Sequence, residues 1–579
     1  MKVKLARTAG FCMGVKRAMD MVLSEALRGN GPIYTYGPLI HNRQVLQLLE
    51  QKGIYLIDDV SELKEGVLLI RAHGIPPQIR EKLRSLPLKV IDATCPRVAK
   101  VQAIIRYYSR KGYKTVIFGE REHPEVIGLL GYAENGAHVI NSLSDIMSLP
   151  SKGPYLLVAQ TTQELGLFDE ISKAFKERFP DSLIINTICD TTVERQEEVK
   201  RICSEVDAMV VVGGYHSGNT KRLAEVARST GIPTFHIERA DELPIDKLSH
   251  MKIVGLTGGA STPNWIIKEV LQRLERISSY RELGIWKGMK RVMSFFSKTN
   301  MMIFLGALSL SYAIKRFWNM PIDGRMCLLV SLYLYGLHLI NRFLDKGSGT
   351  YNEPDTARFY NRYRKAFVLI SSLCILFSLI LAYNIEKMAF LILICLTMIG
   401  LAYSLFIIPS FLPILGRYRS IKDIPGSKTL SIPIAWTTMI GILPFLEYGK
   451  ITLSPILLTC SIVFSLIFIR TSLFDIFHIQ GDLIVGTETI PVIIGEKNSL
   501  KIIEYLSALM ILPLFYVYIS GVVRSPEILF FILCFPYALL LVNIYRKGWI
   551  YPGLRLETMV DGILILPGIL SMIWNILLK

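Results

Sequence analysis

Apolar stretches recur from residue 301 to the end of the chain, and each approaches the length needed to cross a membrane. A transmembrane helix takes about 20 residues, so this part of the chain is not an ordinary soluble fold. We predict an all-α domain of nine transmembrane helices over residues 300–579. The nine candidates, of which the first is short, are 301–313, 326–340, 366–383, 388–409, 430–446, 451–469, 506–522, 528–544 and 562–578.

The net charge of +17 is divided almost equally between the two halves of the 579-residue chain. Of 65 Lys and Arg, 42 precede residue 301 and 23 follow it; of 48 Asp and Glu, 33 precede it and 15 follow. A nucleic-acid-binding module concentrates its positive charge. We therefore expect a lipid bilayer, and no nucleic acid, as a partner.

The distribution of Lys and Arg predicts the membrane orientation. The loops after candidate helices two, four, six and eight hold sixteen of them, and the alternate loops hold six. Cytoplasmic loops carry the excess, which predicts an inner (cytoplasmic) membrane protein with its N-terminal domain in the cytoplasm. The first residues, MKVKLARTAG, lack the apolar core of a signal peptide. A basic linker, 281–299, is expected at anionic headgroups, although a solvated basic helix has the same composition.

Residues 1–280 alternate apolar, β-rich runs with helical patterns, which is typical of an α/β domain with mostly parallel sheets. Three units share one device, a cysteine just past a strand and just before a helix. These are Cys12, Cys95 and Cys189. Pro96 suits a first helical position, and Thr191 with Glu194 has the spacing of a capping box.

These three cysteines are candidate metal ligands or nucleophiles, because the positive end of a helix dipole favours a thiolate. Separations of 83 and 94 residues exclude a zinc knuckle or a local ferredoxin motif but fit one ligand from each of three lobes. Alternatively, they are small buried hydrophobic residues. Cys203 lacks the helix-start context and is predicted to be structural.

Three histidines, His41, His73 and His123, each follow an apolar segment at a loop. Together with Ser217, Asn219 and Ser261 in small-residue turns they predict a polar basin that accepts phosphate without a Walker lysine. Plain turns are the alternative. Glu125 is a candidate proton donor, although an exposed carboxylate is the commoner fate.

The segments GFCMGVKRA, GPLIHN, RAHGIP, DATCP, HPEV, AQTT, NTIC, GGYHSGNT and TGGASTP occur in this order. They resemble the LytB/IspH family of hydroxymethylbutenyl diphosphate reductases across about residues 1–277. The resemblance implies a three-lobed α/β trefoil around a [4Fe–4S] cluster held by Cys12, Cys95 and Cys189. It also implies reductive removal of an allylic hydroxyl, giving isopentenyl and dimethylallyl diphosphates, with electrons from a ferredoxin- or flavodoxin-type donor.

The same resemblance implies roles for individual residues. Glu125 would lie on the proton route, and Thr161 of AQTT would bind the hydroxyl end of the substrate. Gly218 stands where the family often has a second serine. The diphosphate would be held by His41, His73, His123, Ser217, Asn219 and Ser261.

Two predicted cytoplasmic loops of the membrane half carry carboxylates that could hold magnesium against a diphosphate. Ordinary loop solvation is the alternative. The first loop follows candidate helix two and the second follows candidate helix six. Their polar residues are Asn341, Asp345, Glu353 and Asp355 in the first, and Asp475, Asp482 and Glu488 in the second.

The segment GDxxxGxxTIPV over residues 481–492 resembles the second motif of the UbiA superfamily of intramembrane prenyltransferases, as do nine helices and the YS pair at Tyr403. This resemblance implies polyprenyl transfer to an unidentified acceptor and Mg²⁺ near Asn341, Asp345, Asp475 and Asp482. Three motif positions differ from the family, where Arg342, Gly349 and His478 replace acidic residues. A basic Arg342 could instead contact a diphosphate directly.

Together these features predict a bifunctional enzyme, a reductase joined to a prenyltransferase-like membrane domain. In one alternative the membrane domain is a non-catalytic anchor, which the three motif differences favour. In another the soluble half is an iron–sulfur redox sensor or electron carrier. The histidine, glutamate and serine set disfavours that reading, because an electron carrier needs no substrate basin.

Overall fold

The chain divides into two compact units, Met1–Glu282 and Leu283–Lys579. The computed structural model describes residues 1–28, 31–60, 63, 65–151, 153–279, 284–344, 348–405, 424–449, 453–485, 487–550 and 552–577. The two units differ in class, since strands occur only in the first among the described residues. The predicted α/β and all-helical parts are therefore both confirmed.

The first unit contains twelve strands, arranged in three four-stranded sheets in which the described pairings are parallel. The sheet orders are β1-β12-β10-β11, β5-β4-β2-β3 and β9-β8-β6-β7. The strands are β1 Lys2–Leu5, β2 Ile33–Tyr36, β3 Ile54–Ile57, β4 Val67–Ile70, β5 Lys89–Asp92, β6 Lys114–Phe118, β7 Ala137–Ile140, β8 Tyr155–Ala159, β9 Leu183–Ile184, β10 Ala208–Val212, β11 Thr234–Ile237 and β12 Ile253–Gly258.

Nine α-helices lie between these strands, as parallel pairing requires, and α10 follows the last strand. Strands β4, β8 and β10 are buried along their whole length and read as unbroken apolar runs, which is the pattern of a parallel strand covered on both faces. The helices are α1 Met13–Arg28, α2 Arg43–Gln51, α3 Pro77–Arg84, α4 Pro96–Arg110, α5 Pro124–Leu130, α6 Leu165–Arg178, α7 Asp190–Cys203, α8 Gly218–Ser229, α9 Ile245–Leu248 and α10 Asn264–Ser279.

The three sheets repeat one plan. In each, the strand at one edge leads to a cysteine-bearing segment: β1 to Cys12, β5 to Cys95 and β9 to Cys189. The next two strands of each sheet lead to the predicted basin residues. Because the strands are parallel, their carboxyl ends share one edge of each sheet, where ligand sites of such sheets lie.

The second unit is helical, and its helices pack around one large apolar core. A π-helical turn, Thr437–Ile442, joins α18 to α19. The helices are α11 Gly284–Lys298, α12 Met301–Phe317, α13 Gly324–Leu344, α14 Ser348–Asn352, α15 Pro354–Arg362, α16 Arg364–Ile385, α17 Lys387–Leu405, α18 Ser427–Trp436, α19 Leu443–Tyr448, α20 Leu453–Val485, α21 Ile490–Ile494, α22 Glu496–Ile519, α23 Glu527–Arg546 and α24 Leu554–Leu577.

Seven helices in the described part of this unit are long and apolar enough to cross a membrane, which supports a multi-pass domain. The predicted number of nine is not confirmed. Helix α12 and the apolar segment Lys387–Tyr403 are the shorter remaining candidates, and residues 406–409 of the predicted fourth span lie outside the described part. The seven are Gly324–Phe343, Arg364–Ile385, Ser427–Tyr448, Leu453–Val485, Glu496–Ile519, Glu527–Arg546 and Leu554–Leu577.

Both predicted carboxylate loops prove to be largely helical. Helix α20 continues without a break for 33 residues, so Asp475 and Asp482 lie on a helix and not in a loop. Arg470, which the sequence places among the cytoplasmic loop residues, lies within the same helix and is buried. The error arises because polar residues on the buried face of a long helix interrupt its apolar pattern as a loop would.

Candidate functional site

The three cysteines lie at the starts of three helices. Cys95 and Cys189 are the N-cap residues of α4 and α7, and Cys12 directly precedes α1. Pro96 occupies the first position of α4, as predicted. The predicted capping box at Thr191 is wrong, because Cys189 is the N-cap, and the Thr191 hydroxyl lies 3.1 Å from the Cys189 sulfur instead. Cys203 is buried, as a structural cysteine should be.

The cysteine segments approach one another closely. A Cβ atom added to Gly14, in the first turn of α1, would lie 2.5 Å from the Cys95 sulfur. Burial raises the pKa of the Cys95 thiol, the backbone N–H groups of Arg97 and Val98 lower it, and the neighbouring thiols Cys12 and Cys189 raise it again. Burial therefore outweighs the helix N-terminus at Cys95, and a bound cation would favour its thiolate form.

Three backbone hydrogen bonds tie the cysteines to the predicted basin. The N–H of Cys95 donates to the carbonyl of Ala72, the residue before His73, over 2.9 Å. The N–H of Cys12 donates to Ala260, the residue before Ser261, over 3.1 Å. The N–H of Cys189 donates to the carbonyl of Thr161 over 3.0 Å. The cysteine triad and the polar basin are therefore parts of one site.

The histidines form one cluster. The ring centroids of His41 and His73 are 4.5 Å apart, and His123 lies 5.8 and 5.7 Å from them. Burial, reinforced by nearby positive charge, lowers the pKa of His41 and of His123 to about 4. The pKa of the fully enclosed His73 is also far below its usual value, mainly because of burial. Burial and nearby positive charge therefore favour the neutral form of all three rings at pH 7.

Hydroxyl and amide groups complete the basin. The Ser261 hydroxyl contacts the Ser217 oxygen at 3.2 Å and the His41 carbonyl at 3.1 Å. Ser217 is the N-cap of α8, and Asn219 lies in its first turn. A Cβ atom on Gly218 would sit 3.6 Å from the His123 ring, so a serine would fit at this position.

Several buried polar atoms around this basin have no hydrogen-bond partner among the described residues. They are His41 Nε2, His73 Nδ1, Asn219 Nδ2 and Thr220 Oγ1. Buried polar groups are normally paired, and each unpaired one carries a desolvation cost of about 1–3 kcal/mol. Such a set of potential donors is chemically suited to the oxygens of an anionic ligand.

Glu125 is buried and directly bonded to Thr161. The Thr161 N–H donates to one carboxylate oxygen over 2.7 Å, and its hydroxyl donates to the other over 2.8 Å. Burial raises the pKa of Glu125 to about 7, although both bonds from Thr161 lower it. The alternative of an exposed carboxylate is wrong for this residue, since Glu125 is 2% exposed.

Arg71 is a further basin residue that the sequence reasoning missed. It lies after β4, two positions before His73, and its positive charge lowers the pKa of all three histidines. A cation directly after a parallel strand, at the edge where ligand sites of such sheets lie, is the signal that could have identified it.

The membrane unit brings most of its predicted polar residues into ion pairs and hydrogen bonds. Asp482 is fully buried, and Lys428 and Asn352 each donate to it over 3.4 Å. Asp475 accepts a 2.7 Å bond from the Thr429 hydroxyl. Asn341 lies on α13, and Asp345 falls outside the described residues.

The residues that differ from the UbiA motif lie in the same region. Arg342 pairs with Glu353 at 2.7 Å, and His478 lies 3.6 Å from the other oxygen of Glu353. Glu557, which the sequence reasoning missed, lies beside them. One of its carboxylate oxygens is within 4.8 Å of a carboxylate oxygen of Glu353 and of a ring nitrogen of His478. In the part of the chain that the structure describes, no atom lies within 4 Å of a Cβ atom added to Gly349.

Comparison with known proteins assigns the first unit. The sequence profile of the LytB protein family matches residues 3–275. The 4-hydroxy-3-methylbut-2-enyl diphosphate reductase of Alkaliphilus oremlandii is 42% identical over 279 residues, which is 48% of this chain and 100% of that protein. The chain belongs to the LytB family. The reductase of Oleidesulfovibrio alaskensis is 46% identical to this LytB domain over 281 residues and is also covered completely.

Two solved structures are similar to parts of the chain. The E-1-hydroxy-2-methyl-but-2-enyl-4-diphosphate reductase from Plasmodium falciparum has 31% identity and a TM-score of 0.45, covering 47% of this chain and 87% of that one. A UbiA homolog from Archaeoglobus fulgidus, bound to GPP and Mg²⁺, has 17% identity and a TM-score of 0.36, covering 48% of this chain and 98% of that one.

Proposed function

We propose that the LytB domain removes the hydroxyl group of 4-hydroxy-3-methylbut-2-enyl diphosphate reductively. Two electrons and two protons are consumed, the C–O bond breaks, and water leaves as isopentenyl or dimethylallyl diphosphate forms. The observation that carries this proposal is the set of three backbone hydrogen bonds between the cysteines and the basin. These bonds place the cysteine triad next to the polar basin. A redox sensor would not need such a basin beside its cluster. The named relatives support the same reaction.

Cys12, Cys95 and Cys189 would hold a [4Fe–4S] cluster. Three converging thiols from separate lobes fit such a group, because they leave one of its four irons without a protein ligand. When bound, the cluster supplies electrons one at a time and a Lewis-acidic iron for the hydroxyl group. A low-potential ferredoxin- or flavodoxin-type protein would be the electron source.

The chain's own residues bind the substrate and deliver the proton. The unpaired atoms of His41, His73 and Asn219 would donate to the diphosphate, together with the two serine hydroxyls, and Arg71 adds fixed positive charge. Thr161 would lie at the hydroxyl end of the substrate. Glu125, protonated in part near pH 7, would supply the proton through that threonine.

Replacement of one cluster ligand tests this assignment. Anaerobically purified protein should show iron–sulfur absorbance and reduce the hydroxymethylbutenyl substrate with a chemical reductant. Cys95→Ser should lose both properties. The matched control Cys203→Ser removes a buried thiol at the far end of α7 and should keep both. Full activity in Cys95→Ser, or loss in the control alone, contradicts the proposal.

Glu125→Gln separates the proton route from binding. The amide keeps the size of the carboxyl group but has no transferable proton at neutral pH. Cluster absorbance and substrate affinity should persist, while turnover should fall by about 10²–10⁴-fold. Unchanged turnover would remove Glu125 from the proton route.

For the membrane unit we infer binding of a polyprenyl diphosphate, with transfer of its prenyl group to an acceptor as the resulting activity. The support is a group of buried or half-buried charges inside an apolar helical unit: Asp475, Asp482, Glu557 and the pairs Arg342–Glu353 and Arg470–Asp561. Charges in membrane proteins are costly and usually functional. A simple anchor needs none of them. Carboxylates such as Asp475 and Asp482, with Asn341, could hold Mg²⁺.

Binding of a polyprenyl diphosphate to the detergent-purified full chain, with and without Mg²⁺, tests this inference. Asp482→Asn should weaken Mg²⁺-dependent binding at least tenfold. Asp323→Asn is the matched control. Asp323 directly precedes α13, and its carboxylate forms an ion pair with Arg325, two residues away. Absence of binding in the unaltered protein favours the anchor, and equal binding in the two variants removes Asp482 from the site.

A further inference from the structure

Each helix that begins at a cysteine carries an arginine that contacts the cysteine-bearing segment of another sheet. Arg17 on α1 donates to the carbonyl of Thr94, the residue before Cys95, over 3.1 Å. Arg97 on α4 forms a 2.6 Å ion pair with Asp190, the residue after Cys189.

Arg195 on α7 closes the cycle, because its guanidinium donates over 2.7 Å to the carbonyl of Gly10, two residues before Cys12. The three helices thus hold the three cysteine segments in a ring, each helix bracing the next segment. We call Arg17, Arg97 and Arg195 the arginine ring.

Arg195 braces its target segment more fully than the other two. It also donates to the Gly258 carbonyl over 3.1 Å, at the end of β12. One turn further along α7, the Glu198 carboxylate accepts the N–H groups of Arg7 and Thr8 over 3.0 and 2.9 Å. Helix α7 therefore fixes the chain from residue 7 to residue 10, immediately before Cys12.

Arg195 also differs from its counterparts in burial. It is 5% exposed, whereas the side chain of Arg97 is 45% exposed. Burial lowers the pKa of Arg195, and the Cys12, Glu198 and Cys189 groups oppose that shift, so the guanidinium lies within electrostatic range of two ligand thiols. A guanidinium remains protonated in proteins. A fixed positive charge therefore sits next to the triad where water screens it little.

We propose that Arg195 is a positioning residue that aligns Cys12 for cluster binding and that its buried charge favours the reduced state of the cluster. This inference rests on the proposed function. A [4Fe–4S]²⁺ core with three thiolates carries one net negative charge, and one-electron reduction adds another. A nearby fixed positive charge stabilises the product of that reduction more than the reactant, which raises the reduction potential.

The test is a redox titration of the anaerobic holoenzyme, followed by absorbance and electron paramagnetic resonance. Arg195→Met removes the charge, Arg195→Gln removes it but can still donate to Gly10, and Arg195→Lys keeps it. At a fixed solution potential, both neutral variants should show a reduced-to-oxidised ratio about tenfold lower than the unaltered protein, a midpoint shift of about 59 mV for one electron. Arg195→Lys should stay within threefold.

Arg110→Met is the matched control, because it removes an exposed arginine at the other end of α4, which pairs with Glu134 outside the ring. Its midpoint should not change. Equal shifts in the Lys and Met variants, or no shift in the neutral ones, overturn the proposed charge effect. If the neutral variants bind no cluster, retention of the cluster by Arg195→Lys alone supports the inference, and loss in all three variants overturns it.

The proposed function is tested separately in the same preparation. If the unaltered protein incorporates no iron–sulfur cluster, the proposed function itself fails. If it incorporates the cluster and reduces substrate but the Arg195 variants titrate normally, only the inference about Arg195 fails.

Discussion

Glu125 is held between opposing effects. Burial raises its pKa, and the two hydrogen bonds from Thr161 lower it, with a net value of about 7. A carboxyl group with this pKa is present in both protonation states near neutral pH, which suits a group that must give up a proton and regain it. In a fully hydrated position the same residue would be ionised at pH 7 and could not donate.

A pH profile of Thr161→Val tests this balance. Glu125 must be protonated to donate, so kcat/KM of the unaltered protein should fall as the pH rises through about 7. Valine removes the hydroxyl donor that stabilises the carboxylate, so the pKa should rise and the falling limb should move about one pH unit higher. Thr230→Val, at the exposed end of α8, is the control. If kcat/KM of Thr161→Val falls at the same pH as in the unaltered protein, the Thr161 hydroxyl does not lower the pKa of Glu125.

At the scale of elements, the starts of the cysteine-bearing helices require close packing. Gly14 lies in the first turn of α1, and any added Cβ atom would lie 2.5 Å from the Cys95 sulfur and 3.0 Å from its Cβ. Such contacts are too short for real atoms, so the helix or the cysteine must move. The glycine is needed for space rather than for an unusual backbone conformation.

Gly14→Ala should therefore reduce iron binding. We expect a loss of folding stability of about 1–3 kcal/mol from the overlap and a cluster content well below that of the unaltered protein. Gly166→Ala is a close control, because Gly166 is also in the first turn of a helix, α6, and its nearest neighbour would be 3.9 Å away. Helix propensity alone predicts a gain of about 0.5–1 kcal/mol there. Thermal unfolding measures the stability of each variant, and its iron content measures cluster binding.

Much of the LytB domain could be predicted because local patterns agree with the fold. The apolar, β-rich run Lys114–Phe118 forms β6, and the segment after Cys95 forms α4 from Pro96 onward. A cysteine at a strand-to-helix junction and a histidine after a strand are both local features. Parallel strands then bring their carboxyl ends together, so the site follows from the topology.

Features that depend on distant partners could not be predicted. Arg195 looks like an ordinary helix residue in the sequence, and only the structure shows that it reaches Gly10, 185 residues away. The same holds for Glu557, which approaches His478 from another helix. In α20, the charged side chains resemble a loop because their partners lie on other helices.

At the scale of the whole molecule, the LytB domain has the extent of an independent protein. Curated relatives of about 280 residues are matched over their full length. The apolar cores of its sheets consist of residues from this unit. The unit therefore has what a domain needs to fold alone.

A chain ending at residue 282 should accordingly be soluble and active. With a chemical reductant, its kcat/KM should be within about threefold of the detergent-purified full chain, since the site residues all lie in this unit. Sedimentation after lysis and an anaerobic assay measure the two properties. An aggregated or inactive product with normal iron content would show that the reductase depends on the membrane unit.

The length of α20 has a consequence for where a lipid-soluble substrate could react. Its 33 residues extend for about 50 Å at ~1.5 Å per residue, whereas the hydrocarbon layer is about 30 Å thick. If the helix lay along the membrane normal, about 20 Å of its length would extend into the headgroup zone or beyond. Asp482 lies three residues from its carboxyl end, and in that alignment a charged headgroup could reach it while its isoprenoid tail stays dissolved in the bilayer.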